Sequence, residues 1–393
     1  MLMALGEQRQ LVERFHAVRS CLKQTCKHWQ LGSSYEGWIA ALAREGDRLV
    51  PLVIQRLRRH MQSLKAYQRC GRWEAYAVDG SDFVCPGTPE NQQAMGDVGK
   101  PDGMPLASLT TVFQLRLGLP WAFRVGPGTD SERAHLREMA DELPADSLLV
   151  ADAGFVGYDL CRTLLARKQH FLLRVGGNVH LLSELGYQYE VRGQTVYLWP
   201  LDQQKQNQPP LELRLIVLKD EHKQPVYLVT SVLDPDELTD QEASELYALR
   251  WGIEVFYRTT KQTMEHYILR SRTPKNCYME LTWAVLGIWL LELMTVQKLV
   301  DAGHDPREIS PAQARTTVRR VLRNEKPCRR TRRALCCVLA NCRKDRYRRK
   351  GPKAVRNYPR KKRHKQPGVP TIKLPTAEQL ERANRLTPIT IAV

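Results

Sequence analysis

The sequence lacks the features that mark a secreted or membrane-spanning protein. Residues 1–11 reach charged side chains too early to form the apolar core of a signal peptide, so we expect a cytoplasmic protein with reduced thiols. The ten cysteines include no C-x2-C pair, and neither a disulfide framework nor a zinc site is predicted. The apolar run 281–300 contains Glu292 and has no second span beside it, which favours a buried core helix.

Acidic residues are scarce in one part of the chain. The formal net charge is +18, and the segment 319–365 holds 21 Lys and Arg against two acidic residues, so the remainder is close to neutral. No amphipathic apolar face accompanies these charges, which argues against a membrane surface. A localised basic segment on a neutral body is typical of proteins that bind nucleic acid, the partner that we predict. The alternative is a tail that only keeps the protein soluble.

The order of hydrophobic patterns divides the chain into regions. Residues 1–70 show helical periodicity and predict an N-terminal helical domain, whose DNA-binding role the pattern leaves open. From Trp73 onward, three strands followed by a helix, a strand, a helix and a strand predict an α/β domain with a mixed sheet over 72–300. Short β segments at 187–191, 195–199 and 211–218 predict an inserted β subdomain at 176–225. Residues 301–393 form a basic C-terminal region that we expect to be partly disordered.

One stretch, 247–261, places polar side chains at helical spacing. Four of them fall within an arc of roughly 60° at about 100° per residue. They are Tyr247, Arg250, Glu254 and Lys261. A capping box at Thr239 and Glu242 predicts a helix over about 240–265. The alternative is a solvated ion-pair ladder of Arg250, Glu254 and Arg258, each four residues from the next.

Two aspartates follow apolar strands. Asp79 ends the predicted strand that begins at Trp73, and Asp152 ends the apolar run 147–151. A carboxylate in this position lies at the rim of a sheet, where functional sites are commonly built. If the two strands are neighbours, the carboxylates converge and favour a shared proton or a divalent cation, Mg²⁺ or Mn²⁺. Asp82 is the alternative to Asp79, because it also lies near the end of that strand.

These residues resemble the DDE transposases of bacterial insertion sequences, in the family marked by the signature Y-x2-R-x3-E-x6-K. The four polar residues of 247–261 match every position of that signature. Upstream matches are DGS at Asp79, TPEN at 88–91, Gly128 before the pair Ser131 and Glu132, D-A-G-F at 152–155, and FLLRV at 171–175. The resemblance is collinear and covers about 72–300. Ala153 departs from it, since an arginine is common there.

The resemblance implies an RNase-H-like fold and a catalytic triad of Asp79, Asp152 and Glu254. These carboxylates would hold two Mg²⁺ ions, for which Mn²⁺ could substitute, and would support in-line attack by water and then by a 3′ hydroxyl. The implied function is cleavage of double-stranded DNA at the ends of a mobile element and strand transfer into target DNA. The implied protein acts at the bacterial nucleoid and pairs the two ends as a homodimer.

The resemblance also implies contacts with DNA. Arg250 and Lys261 would hold phosphates beside the metal ions, with Tyr247 and Arg258 as further contacts. Trp199, in the β insertion, is a candidate for stacking on an extruded base. The alternative for Trp199 is a place in the core, which is where a tryptophan on a strand more often lies.

Three other functions fit parts of this pattern. A metal-dependent nuclease without joining activity would use the same three acids, and a joining assay distinguishes it from a transposase. A domesticated, non-catalytic DNA-binding protein would keep the acids without using them, and Mg²⁺-dependent cleavage would exclude it. A two-carboxylate glycosidase would explain paired acids but neither the basic segment nor Lys261.

Overall fold

The structure is a computed structural model. It describes residues 1–96, 103–220, 223–323, 335–344 and 368–391. The chain forms two compact units. Unit 1 comprises Met1–Met139 and Leu249–Arg343, and unit 2 comprises Ala140–Ala248 and Lys344–Val393. Each unit is therefore assembled from two separate parts of the sequence.

The described residues form helices and strands with the following bounds. The α-helices are α1 (Leu2–Leu5), α2 (Leu11–Thr25), α3 (Tyr35–Gln62), α4 (Pro89–Met95), α5 (Glu132–Met139), α6 (Tyr158–Ala166), α7 (Leu201–Lys205), α8 (Asp240–Leu249), α9 (Trp251–Arg258), α10 (Pro274–Asp301), α11 (Pro311–Leu322), α12 (Leu335–Leu339) and α13 (Ala377–Ala383). The strands are β1 (Arg69–Cys70), β2 (Trp73–Val84), β3 (Leu106–Gln114), β4 (Leu119–Pro127), β5 (Leu148–Ala151), β6 (His170–Val175), β7 (His180–Leu182), β8 (Thr195–Leu198), β9 (Leu211–Asp220), β10 (Lys223–Thr230) and β11 (Thr371–Lys373).

Unit 1 contains an antiparallel sheet. Strand β2 pairs with β3, β3 with β4, and the short β1 with β2. The sequence of β3, LASLTTVFQ, contains β-branched and aromatic residues and is almost wholly buried, which suits a strand with a neighbour on each side. Gly118 has φ +70 in the turn between β3 and β4, a conformation that glycine adopts without steric conflict. The three strands predicted after Trp73 are confirmed.

The strand β2 is longer than the sequence indicates. It runs to Val84, so Asp79 lies within the strand and the prediction that the strand ends there is wrong. Gly80 and Ser81 do not interrupt it, because both continue to pair with β3, opposite Thr110 and Leu109. Pairing with β3 thus outweighs the weak strand preference of a Gly-Ser pair.

The helix α10 forms the core of unit 1. Half of its 28 residues are buried, and it contacts α1, α3, α11 and α12. It is long and apolar enough to cross a membrane, yet 72% of its most apolar window is buried inside the protein. The predicted buried core helix is therefore confirmed. Burial raises the pKa of Glu292 on this helix to about 8.

The first 62 residues form helices, as their periodicity predicts. In α3, Ser34 caps the N-terminus by accepting a hydrogen bond from the Gly37 N–H. The helices α1 and α3 contact α10, and α2 contacts α11. These helices therefore contribute to the packing of unit 1.

Unit 2 contains a mixed sheet. The strands β5 and β6 are parallel and are joined by α6, while β10 pairs antiparallel with β6. The sheet continues through β9, β8 and β7, each antiparallel to the strand before it, and ends at β11, which is parallel to β7. The α/β class and the β-rich region predicted at 176–225 are confirmed. The strand expected at 187–191 does not form, because Gly186 and Gly193 have φ +85 and +79 and turn the chain on either side of it.

The described end of the chain is folded with unit 2. Besides the pairing of β11 with β7, Ile389 forms a β-bridge with Leu211, and Ala383 joins a buried cluster that contains Tyr197 and Trp199. Most of the basic segment 319–365 falls on residues 324–334 and 345–367, outside the described residues. Its predicted disorder and DNA binding stay predictions.

The single helix predicted over about 240–265 is divided into three segments. The helix α8 ends at Leu249, α9 spans Trp251–Arg258, and Thr259–Thr263 form a π-helix. The capping box at the start is confirmed, because Glu242 accepts a hydrogen bond from the Thr239 N–H at 3.0 Å and the Glu242 N–H donates to Thr239 Oγ1 at 3.2 Å.

Local residue types explain the breaks in that helix. Gly252, at the start of α9, lacks a side chain and therefore has a low helix propensity. At the other end, the Thr260 hydroxyl donates to the Phe256 carbonyl oxygen at 3.0 Å, a bond that bends helices. The spacing of apolar residues alone predicts neither the effect of Gly252 nor that of the Thr260 hydroxyl.

Candidate active site

Asp79 is held on β2 by contacts on both sides. It pairs with Thr111 of β3. Its Oδ1 accepts a hydrogen bond from the Gly80 N–H at 2.9 Å, and its carbonyl oxygen accepts one from the Tyr257 hydroxyl at 2.6 Å. The strand β3 and the helix α9 together fix its position.

Glu254 lies on α9, one turn after Arg250. Arg250 Nη2 is 3.1 Å from Glu254 Oε1, and the two side chains are only 11% and 29% exposed. The ion pair that the spacing predicts is present, but it is largely buried and not a solvated ladder. A buried pair of this kind holds both side chains in one geometry.

Carboxylates crowd Asp79 within unit 1. Burial raises the pKa of Asp79 to about 6, and the neighbouring charges of Glu132 and Glu254 add to this effect. A backbone hydrogen bond and the Arg250 guanidinium oppose it. Burial, followed by the charge of Asp82, also raises the pKa of Glu132. Carboxylates this close favour a shared proton or a bound cation.

Glu132 is a neighbour of Asp79 that the residue patterns did not identify. It begins α5, and its side chain lies so close to Gly80 that a Cβ there would be 1.9 Å from Glu132 Oε1. Only glycine leaves this space open. The signal in the sequence is the glycine directly after Asp79, together with an acidic residue in the first turn of a later helix.

Lys261 is carried by the π-helix and reaches β2. Its Nζ donates to Ser81 Oγ at 2.7 Å and lies 4.9 Å from the centre of the Phe83 ring. Ser81 and Phe83 follow Asp79 on the same strand. The structure thus brings Lys261, Arg250, Glu254 and Asp79 together within unit 1.

Two further side chains of α9 have different surroundings. Tyr257 is 5% exposed, and its hydroxyl contacts the carbonyl oxygens of Asp79 at 2.6 Å and Leu109 at 3.2 Å. The sequence reasoning missed Tyr257, although its spacing of three residues from Glu254 places it on the same side of a helix. Arg258 is exposed.

Unit 2 brings two of its three predicted site residues, Asp152 and Tyr247, into contact. Asp152 follows β5 and caps a short 3-10 helix, Ala153–Phe155. Its Oδ1 accepts a hydrogen bond from the Ala153 N–H at 2.8 Å and one from the Tyr247 hydroxyl of α8 at 3.4 Å. Asp152 therefore does lie at a strand end, as predicted.

The structure places Trp199 in a core. Its side chain is 3% exposed, it packs with Leu185 and Tyr197, and its Nε1–H donates to the Gln208 carbonyl oxygen at 2.7 Å. In this conformation neither ring face is open to a base, which is the core alternative weighed above. Asp82, the alternative to Asp79, pairs with Ser108 and lies on the opposite face of β2 from Asp79, because strand side chains alternate.

Carboxylates beside an arginine and a lysine are the groups that metal-dependent enzymes of phosphoryl transfer use. A family model for the transposase DDE domain matches residues 74–290, more than half of the chain. The chain belongs to this family, and its predicted resemblance to insertion-sequence DDE transposases is confirmed.

A curated relative and a solved structure are among the proteins that the chain resembles. The relative is the transposase InsG for insertion sequence element IS4 of Escherichia coli (strain K12), which is 28% identical over 260 residues. The match covers 63% of this chain, and the chain spans 58% of that relative. The solved structure is the cryo-EM structure of a piggyBac transposase synaptic complex with hairpin DNA, with 12% identity and a TM-score of 0.41, over 70% of this chain and 58% of that one.

Membership of the DDE family implies the use of a divalent metal. In the described part of the chain, no three His, Cys, Asp or Glu side chains form a group that could hold a metal ion. Asp79 and Glu254 nevertheless fit such an ion in chemistry, because they offer only oxygen donors and their negative charges oppose each other.

Proposed function

We propose that the protein is a DNA transposase that cleaves the ends of a mobile element and joins them to target DNA. The observation that carries the proposal is that Asp79 is largely buried near Glu132 and Glu254, within a chain of the DDE family; burial first, and then these two charges, raise the pKa of Asp79 to about 6. Carboxylates that lie close together favour a bound cation, even though Arg250 already offsets part of the charge through its pair with Glu254.

The metal-binding residues in this proposal are Asp79, Asp152 and Glu254, with Mg²⁺ or Mn²⁺ as the bound ions. When bound, two such ions supply charge neutralisation of the phosphodiester and a lowered pKa of the attacking water or 3′ hydroxyl. The ion pair of Arg250 with Glu254 orients the glutamate for this role. The Tyr257 hydroxyl holds the backbone of Asp79, so that its carboxylate position does not depend on the strand alone.

The proposed DNA contacts are Arg250, Lys261, Tyr247 and Arg258. Arg250 and Lys261 have positive groups beside the acidic residues of unit 1, where they can bind phosphate oxygens. Tyr247 reaches Asp152 in unit 2, and Arg258 is exposed on α9. We do not include Trp199, because it is buried. The proposed partners are double-stranded element ends and target DNA, held by a homodimer at the nucleoid.

Cleavage of a labelled duplex tests the proposal. The duplex is taken from the DNA on either side of the gene, where a transposase of this kind requires short inverted repeats, and the assay includes Mg²⁺. We expect E254Q to lose at least about a thousandfold in cleavage rate, because removal of one member of a catalytic set abolishes most of its effect. The matched control is E245Q, which changes an exposed glutamate on α8. Equal cleavage by E254Q and the parent would falsify the assignment of Glu254.

A nuclease without joining activity is the second candidate, because the same carboxylates suffice for cutting. Supplying a pre-cleaved element end with target DNA separates the two functions. A transposase gives covalent products between the two DNAs, whereas a nuclease gives only shorter fragments.

A further inference from the structure

The turn that follows the π-helix has an unusual backbone conformation. Glu265 has φ +63, in the left-handed region that residues other than glycine seldom occupy. Such a residue persists only where its surroundings hold it in place, and such conformations cluster at functional sites. The contacts of Glu265 should therefore show what holds it in this conformation.

Two arginines of α11 hold the Glu265 carboxylate. Arg315 Nη1 is 3.2 Å from Glu265 Oε1, and Arg319 Nη2 is 3.0 Å from Glu265 Oε2. The arginine side chains are only 19% and 11% exposed, whereas the Glu265 side chain is 47% exposed, so the carboxylate lies at the surface and the two guanidinium groups lie largely beneath it. Arg315 Nη1 also donates to the carbonyl oxygen of Thr263, the last residue of the π-helix.

Arg319 is itself fixed from the other side. Its Nε donates to the Leu5 carbonyl oxygen at 2.9 Å, and its Nη2 donates to the Gly6 carbonyl oxygen at 3.0 Å. The helix α11 also contacts both the π-helix and α2. Glu265, Arg315 and Arg319, which we call the turn clamp, thus tie the end of the π-helix to the body of unit 1.

The π-helix itself carries Lys261. Its wide turn is closed by the Met264 N–H, which donates to the Thr259 carbonyl oxygen at 2.8 Å, and Met264 is fully buried. Lys261 has a flexible four-carbon side chain, so the place of its Nζ beside Ser81 depends on where the backbone holds its Cα. The backbone at that point ends in the turn clamp.

We propose that Glu265, Arg315 and Arg319 are positioning residues that hold the π-helix so that Lys261 reaches the strand of Asp79. This inference rests on the proposed role of Lys261 as a phosphate contact and deepens it. Without the Glu265 carboxylate, the two arginines lose their shared partner, and the turn loses two of the contacts that hold it in the left-handed conformation. Lys261 then loses its fixed place beside Ser81 and Phe83.

A spectroscopic test does not depend on activity. Reductive methylation with ¹³C-formaldehyde labels lysine amines and keeps their charge. In the parent, the Lys261 methyl signal, assigned by its loss in K261R, should be shifted by the Phe83 ring 4.9 Å away. In E265Q the signal should move to the position of exposed lysines. The matched control is R320Q, which alters an exposed arginine of the same helix and should leave the signal in place.

The proposal is overturned if E265Q folds and its Lys261 signal stays at the position that it has in the parent. If E265Q does not fold, R315Q serves as the second variant, because the pair of Arg319 with Glu265 remains. In R315Q an intermediate displacement of the signal supports the proposal, and an unchanged signal counts against it.

A double-mutant cycle on cleavage separates this inference from the proposed function. We expect E265Q and K261A each to lower the cleavage rate about tenfold, and E265Q to add less than about twofold in the K261A background, because residues acting through one group are not additive. If E265Q lowers the cleavage rate a further tenfold in the K261A background, the proposal that the turn clamp acts through Lys261 is wrong. If K261A alone leaves cleavage unchanged, the proposed role of Lys261 fails, and the methyl signal still reports whether the clamp positions it.

Discussion

The two units hold their proposed catalytic aspartates in opposite ways. Asp79 of unit 1 lies near Glu132, Glu254 and Arg250, and burial raises its pKa to about 6. Asp152 of unit 2 accepts a hydrogen bond from the next backbone N–H, as Asp79 does from Gly80, and it also accepts one from the Tyr247 hydroxyl and caps a short helix. Its side chain therefore takes part in local structure, as a helix cap does.

The two aspartates therefore differ in how their side chains affect folding. The charge on Asp79 opposes folding of the metal-free protein, because the folded surroundings disfavour the ionised form. The side chain of Asp152 supports folding through its cap. Substitution of the two aspartates should therefore change stability in opposite directions, and each prediction below can break or sharpen that contrast.

The largest expected effect is that of D79N on pH-dependent stability. The folded pKa of Asp79 is about 6 against an ordinary 3.8, so the folded protein binds this proton more tightly than the unfolded protein. Stability from this group is present below pH 4 and is lost as the pH rises to about 6. Above pH 6, D79N should be more stable than the parent by up to about 3 kcal/mol.

Urea unfolding in EDTA, at pH 4 and pH 7.5, measures this difference. The parent and D79N should differ little at pH 4 and most at pH 7.5. When Mg²⁺ replaces EDTA at pH 7.5, the difference in stability between the parent and D79N should become smaller if the ion binds Asp79. A D79N protein that is less stable than the parent at pH 7.5 would show that the carboxylate supports the fold, and the contrast with Asp152 would fail.

A second prediction concerns the space over Gly80. In G80A the new Cβ would lie 1.9 Å from Glu132 Oε1, so the glutamate side chain must move away. We expect a loss of about 2 kcal/mol in the free energy of unfolding. The double variant G80A/E132A should recover most of it, since the clash is then absent. If the stability losses of G80A and E132A simply add in the double variant, the close approach of Glu132 to Gly80 is not the cause of the loss in G80A.

The sequence predicted much of this site because the acids follow recognisable patterns. An apolar run that ends in Asp152 and a signature that spans Tyr247 to Lys261 can be recognised without coordinates. The strand end was correct for Asp152 but wrong for Asp79, since β3 pairing continues β2 past Gly80 to Val84. Strand ends depend on partners that are distant in sequence, and a local pattern does not contain them.

Other features depend on contacts that no local pattern records. Glu132 comes close to Asp79 only through the packing of α5 on β2. The π-helix at Thr259–Thr263 breaks a periodicity that predicted one continuous helix. Glu265 and the arginines of α11 are about 50 residues apart, so spacing alone gives no reason to join them. Tertiary packing decides all three.

A third prediction tests unit 2 away from its aspartate. W199F removes the Nε1–H that bonds the Gln208 carbonyl oxygen and leaves a small cavity. The expected loss of stability is about 1.5 kcal/mol, from an unpaired acceptor and lost packing. DNA affinity, measured by gel shift across a salt series, should remain that of the parent because the indole is buried. A selective loss of DNA affinity at unchanged stability would restore the base-stacking role.

The smallest expected effect, and the one that bears most directly on the contrast, is that of D152A. Alanine removes the acceptor for the Ala153 N–H and for the Tyr247 hydroxyl, so D152A should lose about 1 kcal/mol of stability. D152N keeps an oxygen in place and should lose less, which separates the cap from the charge. Both variants should lose cleavage activity, since each removes the negative charge with which a carboxylate binds a divalent ion. If D152N is instead stabilised to the same extent as D79N, then Asp152 opposes folding too, and the units do not differ in how they hold their acids.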